Sequence, residues 1–158
     1  MSDTKTLTKL GSGKTEYKFT KPNRKIFETF DNQHPDVLYV APFECFEFTS
    51  LCPKTGQPDY ARIHINYIPA LKCIESKSMK LYLNLFRNSG EFMEDITNRI
   101  MKDIIATIDP IYVEVYADFN SRGGIALRPF ANHYNKWIKE MEMEDDVDRV
   151  LNRYAQTK

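Results

Sequence analysis

Apolar residues along this chain repeat with two different periods. Between residues 61 and 68, Ala61, Ile63, Ile65 and Tyr67 occupy alternate positions, with Arg62, His64 and Asn66 between them. A period of two predicts a strand with one buried face. Further along, Phe92, Ile96, Ile100, Ile104 and Ile108 recur at every fourth position, which predicts the buried stripe of an amphipathic helix. Asn88 followed by Glu91 three residues on reads as a capping box opening that helix. Asp109-Pro110 reads as its stop. Residues 43–49 alternate imperfectly and predict a strand, with order beginning near Val37, and residues 111–118 alternate again. Arg122-Gly123-Gly124 predicts a turn into a strand over 124–130. A helix over about 76–86 precedes the long one. A charged amphipathic helix over 135–154 follows the last strand, with Trp137, Ile138, Met141, Val147, Val150 and Leu151 on its apolar face.

The predicted order is strand, strand, helix, helix, strand, strand, helix. No repeat or linker interrupts it, so the pattern predicts one α+β domain over residues 36–158. Residues 1–35 read as an irregular polar arm. A four-stranded antiparallel sheet, with two helices inserted between its second and third strands and a further helix at the C-terminal end, keeps two open edges. Such edges need cover or a partner chain, which predicts a homo-oligomer.

Composition narrows the classes. The 158 residues carry 22 Lys plus Arg against 22 Asp plus Glu, so the net charge is zero. A dedicated nucleic-acid or anionic-membrane surface normally shows a basic excess. No apolar run reaches the roughly 18 residues of a membrane span. The polar start Met1-Ser2-Asp3-Thr4-Lys5 lacks a signal-peptide core. With the odd count of three cysteines, this predicts a cytoplasmic protein without a disulfide framework. Gly11-Ser12-Gly13-Lys14-Thr15 lacks the first glycine of a phosphate loop, since Thr8 stands there. His34, His64 and His133 are scattered, and no Cys or His pair has metal-ligand spacing, so no metal site is expected.

Candidate chemistry gathers in two segments. Phe48-Thr49-Ser50-Leu51-Cys52-Pro53-Lys54-Thr55-Gly56-Gln57-Pro58-Asp59 puts a thiol and an acid in one proline-bracketed loop. The Lys54 ammonium would favour the nucleophilic thiolate of Cys52. Asp59 against an apolar wall would keep its proton and act as a general acid. The same residues also suit a small buried cysteine and a turn-forming aspartate. Cys45 and Cys73 read as structural. In the second segment, Lys77 and Lys80 share a helix face near its N-terminus and could hold phosphates, or form a solvated basic face. Glu94, in the first turn of the long helix, could pair with the helix dipole or grip the N–H edge of a purine-like base.

These motifs resemble the NADPH-dependent 7-cyano-7-deazaguanine reductases, the nitrile reductases of queuosine biosynthesis. The family signature of Glu, Ser or Leu, Lys, Ser or Ala, an apolar residue, Lys, Leu or Tyr, then an aromatic, is matched by Glu75-Ser76-Lys77-Ser78-Met79-Lys80-Leu81-Tyr82. The Phe-Thr-Ser-Leu-Cys-Pro loop with its Gly-Gln-Pro-Asp is matched at residues 48–59. Phe86-Arg87-Asn88 and Arg122-Gly123-Gly124 also match, and the resemblance spans roughly residues 16–131. It implies a tunnelling fold in a ring-stacked homo-oligomer, with substrate sites between subunits. It implies that Cys52 attacks the nitrile to give a thioimide, that Asp59 supplies protons, and that two NADPH molecules supply two hydrides. Glu94, Met93, Glu75 and Ser76 would then bind the deazaguanine, and Lys77, Lys80, Arg122 and Gly123 the cofactor. One departure is plain: the family commonly has Phe-His-Glu-Asp where this chain has Phe92-Met93-Glu94-Asp95, and methionine cannot hydrogen-bond as histidine can. Two rivals are a GTP cyclohydrolase I-like zinc hydrolase, whose cysteine and histidine ligands are missing, and a non-catalytic purine- or pterin-binding module, for which Met93 is the one argument.

Overall fold

The computed structural model describes residues 21–157, so the Gly11–Thr15 turn lies outside the described residues. The strands are β1 Thr29–Asp31, β2 Ala41–Leu51, β3 Pro58–Ile68, β4 Lys72–Ile74, β5 Tyr112–Phe119 and β6 Phe130–Tyr134. The helices are α1 Ser76–Asn84, α2 Met93–Ile108, α3 Lys136–Glu140 and α4 Glu144–Ala155, with a 3-10 turn over Leu85–Asn88 after α1. An antiparallel sheet runs in the order β2-β3-β5-β6, and β1 pairs with β4 in a separate ribbon. The α+β class, the four-stranded sheet and the two helices between its second and third strands agree with the sequence pattern.

The core explains the order. Ala61, Ile63, Ile65 and Tyr67 of β3 and Val113, Val115, Ala117 and Phe119 of β5 are buried on one face of the sheet. Ile96, Ile100, Ile104 and Ile108 of α2 complete the cluster. A second apolar cluster, built from Ile68, Ile111, Tyr112, Ile138 and Val147, sits where β3 ends and β5 begins. The opposite end of the sheet is left for the loops after β2 and β5.

The imperfect alternation of β2 has a definite cause. Cys45 pairs with Ile63 and Phe48 with Ala61, so Phe46 and Glu47 together oppose Arg62. This is a β-bulge. It switches the inward residues from odd to even: Phe43 and Cys45 are half-buried before it, Phe48 and Ser50 fully buried after it.

Four expectations need correction. Residues 21–35 are part of the folded unit, since Phe30 pairs with Cys73 and Asn32 donates to the Ala70 carbonyl. Three-residue strands are too short to show a period. The long helix begins at Met93 rather than Asn88, with no side-chain cap at Phe92. Glu91 does not reach back to Asn88; its carboxylate accepts from Ser89 Oγ at 2.7 Å and Arg99 Nη1 at 2.6 Å. Phe92 therefore lies outside the helix and is 54% exposed, not part of the stripe.

The fourth strand starts at Phe130, not Gly124. Residues 122–125 form a tight two-hydrogen-bond turn, with Gly123 and Gly124 at φ 56° and 81°, values a side chain resists. Leu127 and Pro129 carbonyls accept from β5, but Pro129 has no N–H to return, so a regular ladder begins only after it. The tail is two helices. Glu142 takes a left-handed φ of 54°, and the Met143 amide returns to the Ile138 carbonyl, closing α3 in a Schellman-type cap. Met141 is consequently exposed.

Ile104→Ala is expected to cost about 2–5 kcal/mol through the cavity it leaves in the core. Phe92→Ala should stay within about 0.5 kcal/mol. Urea unfolding of the two variants checks this; equal losses would return Phe92 to the buried stripe.

Candidate active site

Strand register brings the reactive residues to one end of the sheet. β2 ends at Leu51 and β3 begins at Pro58, paired with it, so Cys52 and Asp59 bracket a single turn. Inside that turn the Cys52 amide donates to the Gln57 carbonyl at 2.8 Å and the Gly56 amide to the Cys52 carbonyl at 3.0 Å. Gly56 holds φ 69°, the left-handed conformation such a closure needs. β5 ends beside β3, with Ala61 opposite Phe119 and the Asn120 amide on the Tyr60 carbonyl. The Arg122 turn therefore arrives at the same place.

Arg122 joins the two reactive groups. Its Nη2 makes an ion pair with Asp59 Oδ1, while Asp59 is only 4% exposed. The same nitrogen reaches the Gln57 carbonyl at 3.5 Å, and the guanidinium is among the groups that lower the Cys52 thiol. Asp59 thus faces a cation where an apolar wall was expected. The Cys52 thiol is lowered to about 6 by the Thr55 hydroxyl and amide first, then by Arg122 and the Lys54 amide. The Lys54 ammonium that the sequence suggested is not among the causes; hydrogen-bond donors do the work. Burial pushes the Cys45 thiol up instead, and Cys73 is buried beside the Tyr39 hydroxyl at 3.5 Å.

A second segment is laced to the end of β2. The Leu51 amide donates to the Ser89 carbonyl at 3.0 Å and the Glu91 amide to the Leu51 carbonyl at 3.2 Å. Gly90 lies so close that a Cβ there would stand 3.3 Å from Pro53 Cα. The start of α2, with Met93 half-buried and Glu94 exposed, follows from this lacing. Ser89, Gly90 and Glu91 were not singled out from the sequence; their role comes from contacts no short motif encodes.

The signature helix behaves differently from expectation. Glu75 caps α1, accepting from the Lys77 amide at 2.7 Å and the Ser78 amide at 2.8 Å. Those amides hold its carboxyl below the usual range and leave no bare helix N-terminus for a phosphate. Ser76 Oγ donates to Glu75 at 3.2 Å. Lys77 is exposed. Ser76, Lys80 and Arg87 line a cleft of about 310 Å³ between α1 and edge strand β2, with Phe43, Phe48, Met79 and Leu83 forming apolar walls. Its size falls within the range of small-molecule sites. The cleft lining does not include Cys52, Asp59, Met93 or Glu94, so one chain presents the residues of the two motifs as adjoining surfaces. Gly123 stays in the Arg122 turn.

Iodoacetamide labelling of Cys52 should follow a titration with its midpoint near pH 6. Thiolate, the reactive form, is lost as pH falls through that value. Thr55→Ala and Arg122→Ala should each move the midpoint upward, toward the ordinary thiol value near about 8.5. An unmoved midpoint in both variants would show that these donors do not hold the thiolate.

Comparison with known proteins follows the same residues. Residues 58–137 match the family described as QueF-like protein. A reductase of Neisseria meningitidis serogroup B, named NADPH-dependent 7-cyano-7-deazaguanine reductase, is 58% identical over 133 residues, covering 84% of this chain and 83% of its own. A protein of the same name from Bacillus thuringiensis is 51% identical over 143 residues, covering 90% and 86%. Among solved structures, an archaeosine synthase QueF-Like in the apo form superposes with a TM-score of 0.56 at 18% identity, over 61% of this chain and 94% of that one; this supports the shared fold. With identities of this order over most of both sequences, the chain belongs to the NADPH-dependent 7-cyano-7-deazaguanine reductase family.

Proposed function

We propose that this chain reduces the nitrile of 7-cyano-7-deazaguanine to the primary amine of 7-aminomethyl-7-deazaguanine through a covalent thioimide on Cys52. The observation that carries the mechanism is one guanidinium shared by a low-pKa thiol and a buried carboxylate. Relatives 58% and 51% identical over 133 and 143 aligned residues carry the activity in their names. Cys52 adds to the nitrile carbon, a C–S bond forms, one C–N π bond opens, and the nitrogen takes a proton from Asp59. Asp59 pairs with Arg122 as the carboxylate beforehand and takes up from solvent the proton that it passes on. When bound, NADPH supplies the two hydrides that bring this carbon from the nitrile to the amine. Cys52 departs as a thiolate when the C–S bond breaks at the imine stage, and its low pKa makes it a good leaving group. Asp59 handles the second proton, which the final nitrogen requires.

The cleft between α1 and β2 fits the cofactor: Lys80 and Arg87 offer cations for phosphates above apolar walls for a flat ring. Lys77 extends that cationic surface, and Gly123 keeps the Arg122 turn tight. Arg122 itself serves Asp59 and Cys52 in this arrangement. Glu94 would accept from the ring N–H and amino group of the base, with Met93 packed on its face, and Glu75 and Ser76 would border it. The exposed Phe46 on β2 and Phe130 on β6 lie on the sheet's two edge strands. They support a tunnelling-fold homo-oligomer in which neighbouring subunits complete each site.

Cys52→Ala should give no adduct by intact-mass spectrometry after incubation with the nitrile and no NADPH oxidation, while the parent gains the substrate mass. Asp59→Asn should slow turnover by about a hundred- to ten-thousand-fold. An adduct surviving on Cys52→Ala would overturn the assignment.

Glu94→Gln sets a donor against donors and should weaken nitrile binding by about 1–3 kcal/mol. Met93→His should be tolerated. Titration calorimetry with the nitrile reads both, and parent-like affinity of Glu94→Gln would mean that other residues hold the base.

A further inference from the structure

Among the described residues, three buried side-chain polar atoms have no hydrogen-bond partner: Ser50 Oγ, Asn66 Oδ1 and Arg122 Nε. Two of them belong to the residues that flank Asp59. Ser50 is directly opposite Asp59 in the antiparallel register and is 0% exposed. Side chains of directly opposed residues stand on one face with Cβ atoms about 4.5–5.5 Å apart. Arg122 holds Asp59 from the turn after β5. Buried polar groups are almost always satisfied, so an orphan pair beside one carboxylate asks for a reason.

The chemistry at Asp59 supplies one. A proton donor must exist in two forms, and each form wants a different neighbour. Arg122 has only N–H groups to offer, so it can serve the carboxylate but not the protonated acid. A serine hydroxyl rotates and does both: it donates to a carboxylate and accepts from a carboxylic acid. We propose that Ser50 is a positioning residue for proton transfer, acting through Asp59: its hydroxyl, unbonded while Arg122 holds the carboxylate, accepts from the acid once Asp59 gains its proton. This rests on Asp59 as the proton donor. Atoms balance simply, because the hydroxyl keeps one proton throughout; Asp59 takes a proton from solvent and delivers it to the substrate nitrogen.

The location is also telling in sequence. Ser50 faces inward only because the bulge at Phe46 and Glu47 shifts the parity of β2; the same shift buries Phe48, which packs edge-on to Phe119 at 6.3 Å between ring centres. Phe48 fills its place with carbon, whereas two residues on the chain places an unbonded hydroxyl.

Ser50→Ala separates this role from packing, because the two give opposite signs. A hydroxyl without partners does nothing for stability, so Ser50→Ala should melt at or above the parent temperature. Its turnover should fall about tenfold, a fraction of the whole acid–base effect. Nitrile affinity should hold, and the slowing in D2O relative to H2O should grow as proton transfer limits the rate. Ser50→Thr, which keeps the hydroxyl, should restore most of the turnover. Parent-like turnover and solvent isotope effect in Ser50→Ala would overturn the proposal. So would a lowered melting temperature accompanied by unchanged turnover per folded protein. Asp59→Asn measured alongside keeps the readings apart: if it too turns over normally, the assignment of Asp59 has failed, and if only Ser50→Ala does, Asp59 stands and Ser50 does not.

Discussion

The register of β3 against its two neighbours is the constraint on which the site depends. Its N-terminal end faces the end of β2 on one side and the end of β5 on the other. That single alignment delivers the β2–β3 turn with Cys52 and Asp59, and the turn after β5 with Arg122, to one place. Register in a half-buried sheet is strongly specified, because a slip of one residue would turn Ile63 and Ile65 outward. Core packing thereby sets the chemistry's geometry, although no core residue takes part in it.

Electrostatics at the site follow from who donates to whom. Thr55, Arg122 and the Lys54 amide stabilise the Cys52 thiolate. Glu75 uses up the first amides of α1, so the signature's acidic residue acts locally as a cap. Glu91 is similarly committed to Ser89 and Arg99, and Arg99 also reaches the Pro22 carbonyl at 3.3 Å. Acids near the site are therefore already assigned, and Asp59 is the one buried acidic side chain among the described residues.

Much of this was legible in the chain, for reasons tied to particular residues. β3 and β5 could be read because one face of each is buried, which forces alternation. Cys52, Asp59 and the turn at Arg122 stood out because prolines and glycines punctuate their loops. What could not be read arose from distant contacts. Arg122 suggested a phosphate binder until the end of β5 placed it against Asp59. Glu91 suggested a cap until Arg99, eight residues on, claimed its carboxylate. β1 and β4 are three residues each and find one another across forty residues of chain. The strand predicted at Gly124 failed for a local reason, since Pro129 withholds the amide a ladder requires.

The bulge in β2 carries a consequence for how this segment can vary. Which side of the sheet a strand residue occupies depends on its count from a fixed point. One extra residue at Phe46 and Glu47 decides that Phe48 and Ser50 point inward and sets the phase in which the strand runs out into Cys52. The composition of that stretch is free to drift at its exposed positions. A lineage could exchange Phe46 or Glu47 for many other residues and keep the fold. Losing one of the two would leave a single residue opposite Arg62 and close the bulge into a regular ladder, with Cys45 and Phe48 still against Ile63 and Ala61. Gaining one between Phe48 and Cys52, in an unbroken ladder, would instead turn every residue after it to the other face, while every side chain of the site remained in the gene.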